Sequence, residues 1–186
     1  MVRKAVTLRD FAGRWSILRE IRDERYGVSG RMEGQAHFRP RDCATFAMSY
    51  EESGRLMMSN GTTMAAKRSY VWREANEGRD ISVEFEDKRP FHKITLNRTM
   101  PNDTHFCAPD LYEVTYDLRR WPSWIVEWRV RGPKKNYRLW TRYKFLGDVS
   151  REPRPCAGAG AGAVSQPSDI ILDGVETWHE TLKIKS

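Results

Sequence analysis

Large apolar side chains fall on every second residue through most of the first three quarters of the chain. The clearest runs are Tyr112/Val114/Tyr116/Leu118, Trp124/Val126/Trp128/Val130 and Tyr137/Leu139/Thr141/Tyr143/Phe145. A period of two marks a strand with one buried face, and the aromatic and β-branched content agrees. Arg119-Arg120-Trp121-Pro122 and Gly132-Pro133-Lys134-Lys135 interrupt the runs with turn chemistry. His105 to Phe145 is therefore predicted to be a three-stranded antiparallel meander.

The same pattern continues upstream. Thr7 is placed to cap a single helical turn that Gly13 closes. Trp15/Ile17/Arg19/Ile21 alternate in a first strand, Met32/Gly34/Ala36/Phe38 face inward from a second, and Phe46/Met48/Tyr50 make a third. Pro40-Arg41-Asp42 reads as a corner and Glu52-Ser53-Gly54 as a tight turn. Arg55 to Ser59 and Met64 to Glu74 follow as separate strands around the Asn60-Gly61 hairpin signal. Ile81/Val83/Phe85, Arg89 to Asn97 and Thr104 to Cys107 supply the rest. About ten short strands at regular spacing, with no helix of three turns, predict an all-β fold. Strands at that spacing form either a sandwich or a closed barrel.

After Phe145 the pattern stops. Residues 147–170 carry prolines and the tract Ala157-Gly-Ala-Gly-Ala-Gly-Ala163, which cannot bury enough surface to order itself and reads as a linker. Residues 171–186 regain alternation around Trp178, Leu182 and Ile184, the pattern of an edge strand. Residues 1–146 are then one all-β domain, as expected for a chain of 186 residues.

Composition adds little to this. Aromatics at 11% favour an ordered core. No apolar run reaches the roughly 18 residues of a spanning helix, and the N-terminus lacks the apolar stretch of a secretory signal. Cys43, Cys107 and Cys156 are odd in number without a CxxC spacing, which points away from disulfides and structural zinc and toward a reducing, cytoplasmic setting. The net charge of +7 raises nucleic acid or an acidic partner, but the charges are dispersed among acidic residues, as on a solvated face.

Facing carries the candidate chemistry, because residues i and i+2 share a side of the sheet. Arg19 shares the inward face of Trp15 and Ile17, His92 that of Ile94 and Leu96, and Arg68 that of Tyr70 and Trp72. The predicted interior is aromatic, lined by phenols, an imidazole and one or two guanidiniums. Candidate ligand-binding residues are Arg19, Arg68, Tyr70, Trp72, His105, Tyr116, Trp128 and Tyr143. Since a buried guanidinium needs a partner, Arg19 meets a ligand anion, a cluster of phenols and carbonyls, or an acid, with Asp23 or Asp110 as the acids at hand. An acid–base reading assigns catalysis to His92, with Tyr112 or Tyr137 as partners. His105 and Cys107 share parity, but they lie too far apart for ready proton transfer and no third group orients the histidine. No spacing of metal ligands is present, and no cofactor is expected. Trp15 is expected to plug the closed end, with Arg138 or Arg142 laid across its ring.

Gly13-Arg14-Trp15, at the start of the first strand, resembles the Gly-x-Trp opening of lipocalins. Arg89-Pro90-Phe91-His92, His105-x-Cys107-x-Pro109-Asp110-Leu111-Tyr112 and Trp128-Arg129-Val130-x-Gly132-Pro133-Lys134-Lys135-Asn136-Tyr137 extend that likeness. As a set they resemble a family of small lipocalin-like, calycin-type domains of unknown function, over about residues 11 to 146. Asn136 departs from the pattern, where relatives have Asp, so a role needing a carboxylate there does not carry over. The resemblance implies an all-β, up-and-down antiparallel β-barrel of about ten strands over residues 1–146, with a short N-terminal helical turn and a blind interior, and no particular activity. The leading expectation is a barrel binding a small apolar or aromatic, anionic ligand. The alternatives are a cofactor-independent isomerase or cyclase in the same cavity, and a basic protein- or nucleic-acid-interaction module. Oligomeric state stays open, a homodimer included.

Overall fold

The computed structural model describes residues 5–41 and 46–148. The expected linker, the terminal edge strand, Cys43 and Cys156 lie outside the described residues, and so does most of the corner after Pro40. Ten strands follow a 3₁₀ turn at Leu8–Phe11: β1 (Gly13–Asp23), β2 (Val28–Pro40), β3 (Ala47–Met58), β4 (Thr63–Ala75), β5 (Asp80–Glu84), β6 (Pro90–Thr95), β7 (Asn102–Cys107), β8 (Asp110–Asp117), β9 (Trp124–Arg131) and β10 (Asn136–Gly147). Every ladder is antiparallel, in the order β6-β5-β4-β3-β2-β1-β10-β9-β8-β7. The first strand pairs with the last, so the sheet curls into a barrel whose seam lies between β6 and β7. Side chains bridge that seam, where the Lys93 amide donates to Asp103 Oδ2 at 2.6 Å and the Phe91 and His105 rings meet edge to face.

Alternation produces the inner wall directly. β8 and β9 bury every second side chain, and Trp15, Ile17, Arg19, Ile21 and Asp23 all turn inward from β1. One expectation fails at β3. This strand runs unbroken through Glu52-Ser53-Gly54, so the tight turn predicted there is absent and Glu52 faces the interior at 3% exposure. Gly54 lies opposite Gly34, and a Cβ on Gly34 would sit 2.1 Å from the Ser53 carbonyl oxygen. These glycines permit close backbone approach within a strand. The expected hairpin at Asn60-Gly61 does form, joining β3 to β4.

The 3₁₀ turn closes one end. Thr7 N and Oγ1 both donate to Asp10 Oδ2, at 2.8 and 2.7 Å, fixing the turn so that Leu8 and Phe11 enter the core. Trp15 Nε1 donates to the Phe11 carbonyl at 2.8 Å. Trp121, Trp124 and Phe145 surround the Trp15 ring. Aromatic neighbours rather than a guanidinium therefore cover Trp15, since Arg138 reaches outward to Glu24 and Arg142 is solvent-exposed.

The opposite rim is tied by the two motifs at residues 109–112 and 132–137. Lys135 Nζ lies 2.8 Å from Asp110 Oδ2 and donates to the Tyr112 hydroxyl at 2.9 Å. A Cβ on Gly132 would fall 1.8 Å from Asp110 Oδ1, so only glycine leaves space for that carboxylate. Lys135 is thus paired and largely buried, although it belongs to a turn segment.

Candidate functional site

Arg19, central on the inner face of β1, is 2% exposed. Its Nη1 and Nη2 donate to the two Glu52 oxygens at 2.6 and 2.8 Å, and its Nε donates to Thr141 Oγ1 at 2.7 Å. The Tyr50 hydroxyl also donates to Glu52 and lies 2.9 Å from the Tyr143 hydroxyl. The partner of Arg19 is therefore Glu52, not Asp23 or Asp110. Asp23 instead accepts the Arg25 and Tyr26 amides of the next turn.

Desolvation alone would raise the Glu52 pKa. Arg19, then Arg68, reverse that effect and hold the carboxyl down at about 2. Burial pushes the phenols of Tyr50 and Tyr116 well above the ordinary range and that of Tyr143 up to about 12. All three remain protonated donors near neutrality.

Arg68 stands directly across the β3–β4 ladder from Glu52, yet its Nε is 3.7 Å from Glu52 Oε1, beyond hydrogen-bond reach. Among the described residues, neither Nε nor Nη2 of Arg68 has a hydrogen-bond partner. On the far wall, His92 Nε2 lies 2.6 Å from the Tyr116 hydroxyl, while its Nδ1 has no partner. Burial, with a smaller contribution from His105, lowers the His92 pKa to about 3. The ring is neutral at physiological pH.

These groups surround an internal cavity of about 30 Å³. Of the residues expected to form a site, Arg19, Arg68, Tyr70, Trp72, His92, Tyr116, Trp128 and Tyr143 line it. Tyr112, Tyr137 and His105 do not. Tyr112 and Tyr137 are buried nearer the Asp110–Lys135 rim, and His105 is half-buried on β7 beside Phe91. Glu52 is absent from the sequence candidates because the pattern ends the third strand at Tyr50, and Tyr50, on that strand's alternating run, joins the site through its bond to Glu52. Trp124 and Thr141 also belong to the wall, and Trp124 stacks on Tyr143 with centroids 3.7 Å apart. Rings fill the remaining interior, including a Tyr70–Phe91–Trp128 stack with centroid steps of 5.3 and 5.1 Å. The outer wall carries a separate groove of about 320 Å³, where Arg22 lies over Trp140 between Leu18, Ile125 and Arg142.

A family model described as a family of unknown function, DUF6314, matches residues 11–145. No curated protein matches the sequence. Among solved structures, the S-type phycobiliprotein lyase CPES from Guillardia theta is similar at a TM-score of 0.54 and 12% identity, over 76% of this chain and 92% of that one. A structure of EF1p2_mFAP2b bound to DFHBI is similar at a TM-score of 0.38 and 11% identity, over 75% and 97% of the two chains. At such identities the likeness to the lyase is one of fold.

Proposed function

Because the chain belongs to DUF6314, a family of unknown function, no activity comes with the fold, and we propose from the site that this barrel binds a small aromatic acid in its interior. One observation carries the reading. The residues around the central cavity present buried N–H donors without acceptors among the described residues, namely Arg68 Nε and Nη2 and the indole nitrogens of Trp72 and Trp124. Buried donors are ordinarily satisfied, so a wall with several unmatched ones is complementary to an acceptor-rich guest. The stacked rings around them suit a flat, apolar body.

The cavity of about 30 Å³ has room for the polar end of such a molecule only. The rest of the ligand takes the space of a side chain that swings aside. Phe91 is suited to that role, because it stacks beside the β6–β7 seam, where no ladder holds the strands together.

Binding is favoured over acid–base catalysis. A general base works best with a pKa near the operating pH, and His92 at about 3 is far below it. Proton transfer at His92 would run through Tyr116, its hydrogen-bond partner, rather than Tyr112 or Tyr137. Trp72, Trp124 and Trp128 line the cavity and report directly on occupancy. Titration with benzoate, 4-hydroxybenzoate and cinnamate is expected to give saturable tryptophan quenching in the wild type and none in Val126→Phe, which fills the cavity. Equal quenching in both proteins would place the ligand elsewhere. Chemical turnover of a bound acid that disappears in His92→Gln would favour the isomerase or cyclase reading.

A further inference from the structure

Resting on that interior-binding reading, we infer that Arg68, and not Arg19, is the ligand's counterion, and that the group it receives is a planar monoanion of carboxylate size. Charge comes first. Among the described residues, the charged side chains meeting at the centre of the barrel are Arg19, Arg68 and Glu52, two cations and one anion. The rim carboxylates Asp23 and Asp110 are committed to turn amides and to Lys135. His92, facing the cavity, is neutral.

Glu52 accepts both terminal nitrogens of Arg19 and the Tyr50 hydroxyl, one bond on Oε1 and two on Oε2, and its closest oxygen stays 3.7 Å from Arg68 Nε. Arg19 has a partner at each of its nitrogens, with Nε on Thr141. The cation left without a hydrogen-bonded acceptor is therefore Arg68, whose side chain is 6% exposed and whose guanidinium lies 5.9 Å from the centre of the Tyr70 ring. Its Nε and Nη2, the two adjacent donors of one guanidinium edge, lack hydrogen bonds among the described residues. Two N–H groups on one edge match the two oxygens of a carboxylate.

Charge then distinguishes the common anions. A monoanion matches a surplus of one, and a phosphate dianion would overturn it. Arg19 and Glu52 form the fixed base of the site, and Arg68 is the specificity-determining residue.

Thermal melts of the full chain in sodium formate, against sodium chloride at equal ionic strength, isolate the head group. Formate is expected to raise the melting temperature of the wild type, and Arg68→Met is expected to lose that increment. In chloride alone, Arg68→Met is expected to lose less stability than Arg19→Met, because Arg68 meets Glu52 only at 3.7 Å whereas Arg19 holds both its oxygens by hydrogen bonds. Sulfate stabilises by exclusion from protein surface and is expected to act alike on wild type and Arg68→Met. For benzoate, Arg68→Lys is expected to weaken binding about tenfold, since an ammonium cannot reproduce the fork. A formate increment that persists in Arg68→Met, or none in the wild type, would overturn the assignment. So would an Arg68→Met loss as large as that of Arg19→Met. Aromatic acids binding wild type and Arg68→Met equally would sink the Arg68 assignment while leaving the interior site standing. No binding of aromatic acids to either protein, with the formate increment intact, would leave Arg68 an anion site and remove the larger ligand.

Discussion

Arg19 and Glu52 meet end to end in the centre of the barrel, each terminal nitrogen of the guanidinium on its own carboxylate oxygen, with side chains 2% and 1% exposed. Removing one partner of such a pair leaves the other charge buried, at a cost of about 3–5 kcal/mol. Glu52→Gln leaves two guanidiniums without a counterion and is expected to fall in that range. Urea unfolding monitored by tryptophan fluorescence measures it, and a loss under about 1 kcal/mol would mean the pair is hydrated.

The same carboxylate sets one acid limit. Its folded pKa of about 2 lies below the reference value of 4.5, so the unfolded chain binds more protons between these values. The contribution is complete above pH 4.5 and is lost as pH falls through about 2, a change of roughly 3 kcal/mol. Stability curves of wild type and Glu52→Gln are expected to converge across that window.

His92 acts earlier in an acid titration. Its folded pKa of about 3 is depressed from 6.5, because burial favours the neutral ring. The unfolded histidine takes up a proton first, so this stabilisation is complete above pH 6.5 and declines toward pH 3. At about pH 4.5 the loss amounts to roughly 3 kcal/mol. His92→Phe is expected to flatten the wild-type slope between pH 6.5 and 4.5, as read from urea midpoints. An unchanged slope would show that the folded ring titrates normally.

Gly132 and Asp110 are expected to couple. Gly132→Ala drives a methyl group into the Asp110 carboxylate and disturbs its pair with Lys135. A double-mutant cycle with Asp110→Ala is expected to show a positive coupling of about 1 kcal/mol or more, because the second change removes the clash. Additive losses would place the strain in the backbone instead.

Trp15→Ala empties the centre of the aromatic plug. Large-to-small changes of this type cost about 3–5 kcal/mol, and Trp15 also fixes the 3₁₀ turn through the Phe11 carbonyl. Calorimetry is expected to show a lower melting temperature with the barrel's far-ultraviolet signal retained before the transition.

Strand number, facing and the inward placement of Arg19, Arg68 and His92 were legible because a two-residue period sorts side chains to one wall or the other. Parity fixes the wall but not the height along the barrel axis. Tyr112 and Tyr137 were therefore grouped with His92, although they sit by the far rim and Tyr116 makes the contact. Glu52 was hidden by Glu-Ser-Gly, which has turn composition. A usable signal was present, since Glu52 and Arg68 stand equally far on either side of Asn60 and the Asn60-Gly61 hairpin places them opposite each other. Contacts across the β6–β7 seam had no such signal, because no hairpin links the residues that meet there.

The most direct measurement of the central claim is native mass spectrometry of the full chain with an equimolar mixture of benzoate, 4-hydroxybenzoate and cinnamate and, separately, their neutral amides. An interior site predicts a one-to-one adduct with an acid, absent with the amides and absent in Val126→Phe. Adducts that form equally with the amides or survive in Val126→Phe, or no adduct in the wild type, would contradict it.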